Sequence, residues 1–105
     1  MRKWVLVLAA TALAAMNISC NQLRARDQLN KGVRAFTSAQ YPEAVEHFKT
    51  AVDQVPDKLD AIVGLGIAYQ HLGNKTAAAE QFEHALRLDP TNAEVKGYLG
   101  ETEGP

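Results

Sequence analysis

The sequence predicts an all-α protein: five helices forming two and a half copies of a helical hairpin, behind an N-terminal targeting segment. Three observations predict it. Gly32, Gly66 and Gly100 are evenly spaced, and the same interval separates Ala44 from Ala78, Phe48 from Phe82, Ala51 from Ala85 and Pro56 from Pro90. Helix start and stop signals fall between these markers at matching places. No strand pattern competes, since the alternating run Val5-Leu6-Val7-Leu8 lies in the leader.

Residues 1–19 read as a signal peptide. Arg2 and Lys3 give a positive start, and Trp4 to Met16 is a nearly continuous apolar run. That run is short of the roughly 20 residues needed to span a bilayer. It also lacks the polar face of a globular helix. Cleavage falls either before Cys20 or after Ala14, where Ala12-Leu13-Ala14 makes an A-x-A pattern. Asn17-Ile18-Ser19-Cys20 resembles a bacterial lipobox, with Asn17 where a leucine is usual. The resemblance implies a lipid on Cys20 as the mature N-terminus and a membrane lipoprotein, with residues 20–24 as its tether. Asn21, where an aspartate would favour the inner membrane, points to the outer membrane facing the periplasm. Cleavage after Ala14 gives a soluble exported protein instead.

Composition narrows the function. Eleven basic residues face twelve acidic ones, and no basic patch of the kind that binds nucleic acid is visible. Cys20 is the single cysteine, so no internal disulfide can form and the core depends on helix packing.

Each element has its own signal. Residues 24–39 read as a first helix, with Leu29, Gly32, Val33 and Phe36 on one face. Pro42 suits the first turn of a second helix, 42–54. Asp57 is placed to cap a third, 58–72, which Gly73 would end. A fourth spans 75–88 with apolar Phe82, Leu86 and Leu88. Thr91 and Glu94 have the spacing of a capping box for a fifth, 92–101. A glycine inside a helix costs about 1 kcal/mol relative to alanine, so Gly32 and Gly66 need a reason. Close helix approach supplies one, with Ala44 and Ala78 opposite them and Phe48 and Phe82 filling the wedge. Ala51 and Ala85 then lie where three helices meet, and Pro56 and Pro90 stop the second helix of each pair.

The segment Ile62, Leu65-Gly66, Tyr69, Ala78-x3-Phe82, Ala85, Pro90 resembles the tetratricopeptide repeat (TPR), and the spacing of its markers matches the TPR period. An earlier copy keeps Gly32, Tyr41, Ala44, Phe48, Ala51 and Pro56, with Gln28, Lys31 and Ala35 at the bulky positions. The resemblance implies a TPR superhelix: repeat 1 over 25–56, repeat 2 over 57–90, a capping helix or half repeat over 91–102, and a tail, 103–105. It also implies a concave face lined by the first helix of each pair. Carried onto this sequence, that face holds Arg26, Leu29, Val33, Phe36 and Thr37, then Asp60, Val63, Ile67, Gln70 and His71, then Glu94. Such an apolar strip with a mixed rim suits a helix or extended peptide of a protein partner in the cell envelope. Leu29, Val33 and Phe36 are alternatively core. The family's lysine and asparagine clamp for a chaperone tail is replaced here by Leu29, Val33, Val63 and Ile67. The fifth helix, with Val95, Tyr98 and Leu99, is either a solubilising cap or a docking surface for self-association.

No catalytic constellation is expected. His47, His71 and His84 are dispersed, and His47 and His84 beside Glu46 and Glu83 read as solvated faces. A metal site needs three or four ligands at fixed spacing, so no metal or other cofactor is expected. Asp57 and Asp60 are explained by capping, and Gly64 and Gly66 make a lone G-x-G within a helix. The expected function is a binding scaffold tethered to a membrane, or else a soluble subunit that is stable only within a larger complex.

Overall fold

In the computed structural model, the backbone is described for residues 2–104 and the side chains for residues 19–104. Five helices follow in order: α1 (Arg2–Thr37), α2 (Tyr41–Gln54), α3 (Leu59–His71), α4 (Lys75–Leu88) and α5 (Ala93–Glu103). Residues 20–24 lie within α1, continuous with the first repeat helix. The last helix runs through Glu103, into the segment expected as a tail. The side chains of residues 1–18, the Ala14 cleavage site among them, lie outside the described residues. No helix among the described residues is long and apolar enough to cross a membrane.

Each helix packs on the next, and α3 additionally touches both α1 and α5. Among the described residues α2 and α4 make no mutual contact. The odd helices are therefore the more closely spaced layer, and α1, α3 and α5 share one side of the molecule, called the inner face below.

At the glycines the nearest neighbours are the aromatic rings of the expected wedge. A methyl at Gly66 would lie 2.6 Å from Cε1 of Phe82, and one at Gly32 would lie 2.7 Å from the ring of Phe48. Real carbon contacts do not come so close, so glycine clears space for the aromatic ring itself. Ala44 and Ala78 are fully buried nearby. Gly64 has the same task, since a methyl there would lie 3.0 Å from Cε1 and Cζ of Phe48. The expected wedge is thus a ring pressed on backbone, and the lone G-x-G is two packing glycines serving two different rings.

Three apolar clusters fill the interior. Ala25, Ala51 and Ala61 join α1, α2 and α3, while Phe48, Leu65, Ala44, Val45, Ala35 and Ala68 join the same helices farther along. Ile62, Ala78, Phe82, Ala85 and Val95 join α3, α4 and α5, with Tyr69 half-buried between the two larger clusters. Ala51 and Ala85 both sit at three-helix junctions because no larger side chain fits where three backbones converge. Burying a side chain such as Phe82 stabilises the fold by about 1.5–3 kcal/mol.

The helix ends correct two capping assignments. Lys58, not Asp57, is the N-cap residue of α3, and it provides no side-chain cap. Asp60 instead accepts a bond from the Ala61 N–H at 3.0 Å. At α5 the cap is Asn92, whose side chain accepts from the Val95 N–H at 3.1 Å. Thr91 bonds Asp89, and Glu94 bonds Tyr98, so neither takes part in a capping box. Pro42 sits in the first turn of α2, where a missing N–H leaves no helical bond unmade. Gly73, at φ +77, follows α3 in the left-handed region. Ala39, its counterpart one repeat earlier, holds φ +58 without being glycine.

Candidate functional site

The inner face is built from α1 and α3, and the two helices bring some of the sequence-derived residues together and divert others. Val33 and Phe36 of α1, Gly64 and Ile67 of α3 and the buried ring of Phe48 line a small cup. The cup encloses about 160 Å³ and exposes no polar atom. A space of about 150 Å³ lined by carbon can hold a benzene-sized group. Val33 is 48% exposed, so the cup opens to solvent. Leu29 and Phe36 are half-buried against the first cluster, and Val63 and Ile67 against the second. The two sequence readings therefore divide by residue: Leu29 is mostly core and Val33 is mostly surface.

Phe36 continues into an aromatic group. His71 meets Phe36 edge-on at 5.0 Å and stacks on Tyr41 at 4.6 Å between centroids. Tyr41 in turn meets Phe36 edge-on at 5.2 Å. Ring quadrupoles favour these geometries, so His71 is held in place at the rim of the face.

Arg26 lies at the other end of α1's inner face. With Lys58, Leu23, Val55, Ser19 and Gln22 it lines a broader hollow of about 500 Å³. Among the described residues no carboxylate pairs with Arg26. Lys58 has a loose partner in Asp60 at 3.6 Å. Leu23 is 66% exposed and Cys20, one turn earlier, is an exposed free thiol.

Other residues assigned to this face are committed elsewhere. Gln70 donates to Thr102 Oγ1 at 2.6 Å and to the Tyr98 carbonyl at 3.3 Å, tying α3 to α5. Thr102 is buried and donates its own hydroxyl proton to the Tyr98 carbonyl at 2.8 Å. Thr37 bonds back to carbonyls of its own helix. Glu94 accepts from the Tyr98 hydroxyl at 2.9 Å. That hydrogen bond, followed by desolvation and the carboxylate's charge, holds the Tyr98 phenol above its ordinary pKa. His47 is not on a solvated face: it is half-buried, with Nδ1 2.8 Å from Gln28 Oε1. His84 is half-buried as well. Among the described residues no three His, Cys, Asp or Glu side chains are grouped to share a metal ion.

The family model described as tetratricopeptide repeat matches residues 29–93. The chain belongs to the tetratricopeptide repeat family. This TPR chain spans only a small part of the curated relatives it matches. It is 29% identical to Superkiller protein 3 of Schizosaccharomyces pombe over 96% of this chain and 8% of that protein. It is 31% identical to Hsp70-Hsp90 organizing protein 3 of Arabidopsis thaliana, over 70% of this chain and 13% of that one. Human tetratricopeptide repeat protein 13 is 37% identical over 55% of this chain and 7% of its own length. Superposed on the TPR domain of Arabidopsis OM64, the chain gives a TM-score of 0.46 with 19% identity, over 79% of this chain and 97% of that domain.

Sequence reasoning missed Gly64, Phe48 and Lys58 as parts of the inner face. Gly64 has no counterpart in the TPR register, since Asn30 and Tyr98 stand one repeat to either side. Phe48 was recognised only as core, and it is buried there, 3% exposed, while also lining the cup. Lys58 carried no signal beyond its place at a helix start.

Proposed function

We propose that this TPR chain is a protein-interaction scaffold that holds a segment of a partner protein on the face formed by α1 and α3, and that it does so tethered to a bacterial envelope membrane through Cys20. The observation that carries the binding reading is the open apolar cup of Val33, Phe36, Phe48, Gly64 and Ile67. A carbon-lined hollow on the inner face favours an apolar side chain over water. One relative, Hsp70-Hsp90 organizing protein 3 of Arabidopsis thaliana, bears a name that records work on protein partners. The tether rests on the leader and lipobox-like sequence, and on a thiol exposed on α1. Crosslinking from intact envelopes tests the first part: a specific adduct formed by the wild type should vanish when Val63 and Ile67 are replaced by lysine. Fractionation tests the second. Cys20→Ala should move the protein from membrane to soluble fraction, and an unchanged distribution removes the lipid anchor.

A second reading is favoured by α5. Methyl groups built at Gly97 and Gly100 would meet nothing within 4 Å, so this helix can be approached closely. A soluble subunit completed by self-association or by a larger complex would use that side. Its melting temperature would rise with concentration, whereas a value constant over a hundredfold dilution counts against it.

A further inference from the structure

A second hollow lies away from the cup, at the end of the fold that carries Cys20. Ser19, Gln22, Leu23 and Arg26 of α1 form one wall, and Val55 and Lys58 of the α2–α3 connection form the other. It measures about 500 Å³, within the range that takes a small ligand. Among the described residues no carboxylate lines it, and Asp57 lines the neighbouring hollow beside Asn21 and Gln54 instead. Asp60 offsets Lys58 loosely, at 3.6 Å, whereas Arg26 has no carboxylate partner among the described residues. An anion is the complementary occupant.

Leu23 indicates which kind of anion. It is 66% exposed and borders the same hollow. Cys20, Leu23 and Arg26 are spaced three residues apart, so Leu23 stands between the exposed thiol and the guanidinium on one side of α1. Arg24, one turn from Cys20 on its other flank, is a further exposed cation. From Cys20 to Arg26 the helix rises about 9 Å. The headgroup layer of one leaflet is about 5–8 Å deep, and long helical side chains lean back towards the N-terminus, which brings the Arg26 guanidinium nearer the Cys20 level. An aliphatic side chain flanked by cations is the pattern of a surface that meets both acyl chains and phosphates.

We infer that this hollow holds the headgroup of an anionic phospholipid, with Arg26 and Lys58 on the phosphodiester, the Gln22 amide donating to it, and Leu23 entering the interface beside the acyl chains. The inference rests on the tether reading, which brings this end of α1 to a membrane, and adds a second point of contact there. A lipid on Cys20 alone leaves the helices free to swivel, and a headgroup gripped from the α2–α3 connection fixes their orientation. Cleavage before Cys20 removes Ser19 and leaves Gln22, Leu23, Arg26, Val55 and Lys58 in place.

The test is titration of the full chain with dihexanoyl phosphatidylglycerol, a lipid soluble as monomers, followed by amide NMR shifts. Dihexanoyl phosphatidylcholine and inorganic phosphate form separate arms. Phosphatidylglycerol should shift Leu23, Arg26, Val55 and Lys58 and bind about fivefold more tightly than either of the others. Replacing Arg26 and Lys58 together by glutamine should weaken it about tenfold, because each cation at an anionic surface is worth a factor of about five and Asp60 offsets part of one. Leu23→Ser should weaken phosphatidylglycerol and leave phosphate unchanged. Circular dichroism should stay helical, since Leu23 and Arg26 are exposed and Lys58 makes no side-chain cap. Phosphate binding as tightly as phosphatidylglycerol overturns the lipid assignment, and phosphatidylcholine binding as tightly overturns the anionic one. Absence of shifts at this end, or shifts that survive the double glutamine variant, overturns the site. Monomeric lipid needs no tether, so failure here while Cys20→Ala still releases the protein from membranes removes the headgroup site alone. Binding here while Cys20→Ala stays on membranes removes the lipid anchor alone.

Discussion

The ring of Phe82 lies against the backbone of Gly66, with Cε1 2.6 Å from where a β-carbon would be. Phe82 is completely buried, so the ring has no free direction in which to retreat. Gly66→Ala should therefore cost about 1–3 kcal/mol despite alanine's better helix propensity. Gly100 holds the same place in the repeat yet meets nothing within 4 Å. Gly100→Ala should stabilise the isolated chain by up to about 1 kcal/mol. Urea unfolding of both variants checks the pair: equal effects of the same sign would show that the ring contact does not control these positions.

Ala39 offers the converse. It occupies the left-handed region at φ +58, where its repeat counterpart Gly73 sits at φ +77. A β-carbon there is strained by about 1–2 kcal/mol, while glycine loses more entropy on folding. Ala39→Gly should give a net gain of about 0.5–1 kcal/mol, seen as a higher urea midpoint with an unchanged slope.

These positions show what the sequence made legible. The five-helix order, the alanine junctions and the glycines at 32 and 66 recur once per repeat, because each repeat solves the same packing problem. Features that occur once left no such trace. The Gln28–His47 bond is one, since Ile62 and Gln81 stand at the corresponding places of the second repeat. The cap of α5 is another: Thr91 and Glu94 had the capping-box spacing, but Asn92 is one residue nearer the first turn and takes its N–H. Within the candidate face, exposed Val33 and the cup-lining Phe36 and Ile67 followed from the register. Gln70 did not, because its partner Thr102 belongs to a helix whose repeat is cut short.

Gln70 should consequently matter more for α5 than for ligands. Gln70→Leu leaves the buried Thr102 hydroxyl without its Gln70 partner and removes a tie across 32 residues of chain. A loss of about 1 kcal/mol is expected. In amide exchange, protection should fall first in α5, with α1 and α2 unaffected.

Tyr98 gives a pH signature. Its phenol titrates above the ordinary value of about 10, chiefly through the hydrogen bond to Glu94. The associated stability is fully present below the unfolded pKa and is lost as pH rises through the raised folded value. Spectrophotometric titration should place Tyr98 as a late-ionising phenol, and Glu94→Gln should move it back down. No movement would show that Glu94 is not the cause.

Phe48 stands between Gly32 of α1 and Gly64 of α3, touching the backbone of both. One flat side chain thereby serves as a shared hinge-pin for successive hairpins. Pulling the first hairpin away would uncover Leu65 and Ala68 of α3 in the same event, while Ile62, Ala78, Phe82, Ala85 and Val95 would keep their partners in α3, α4 and α5.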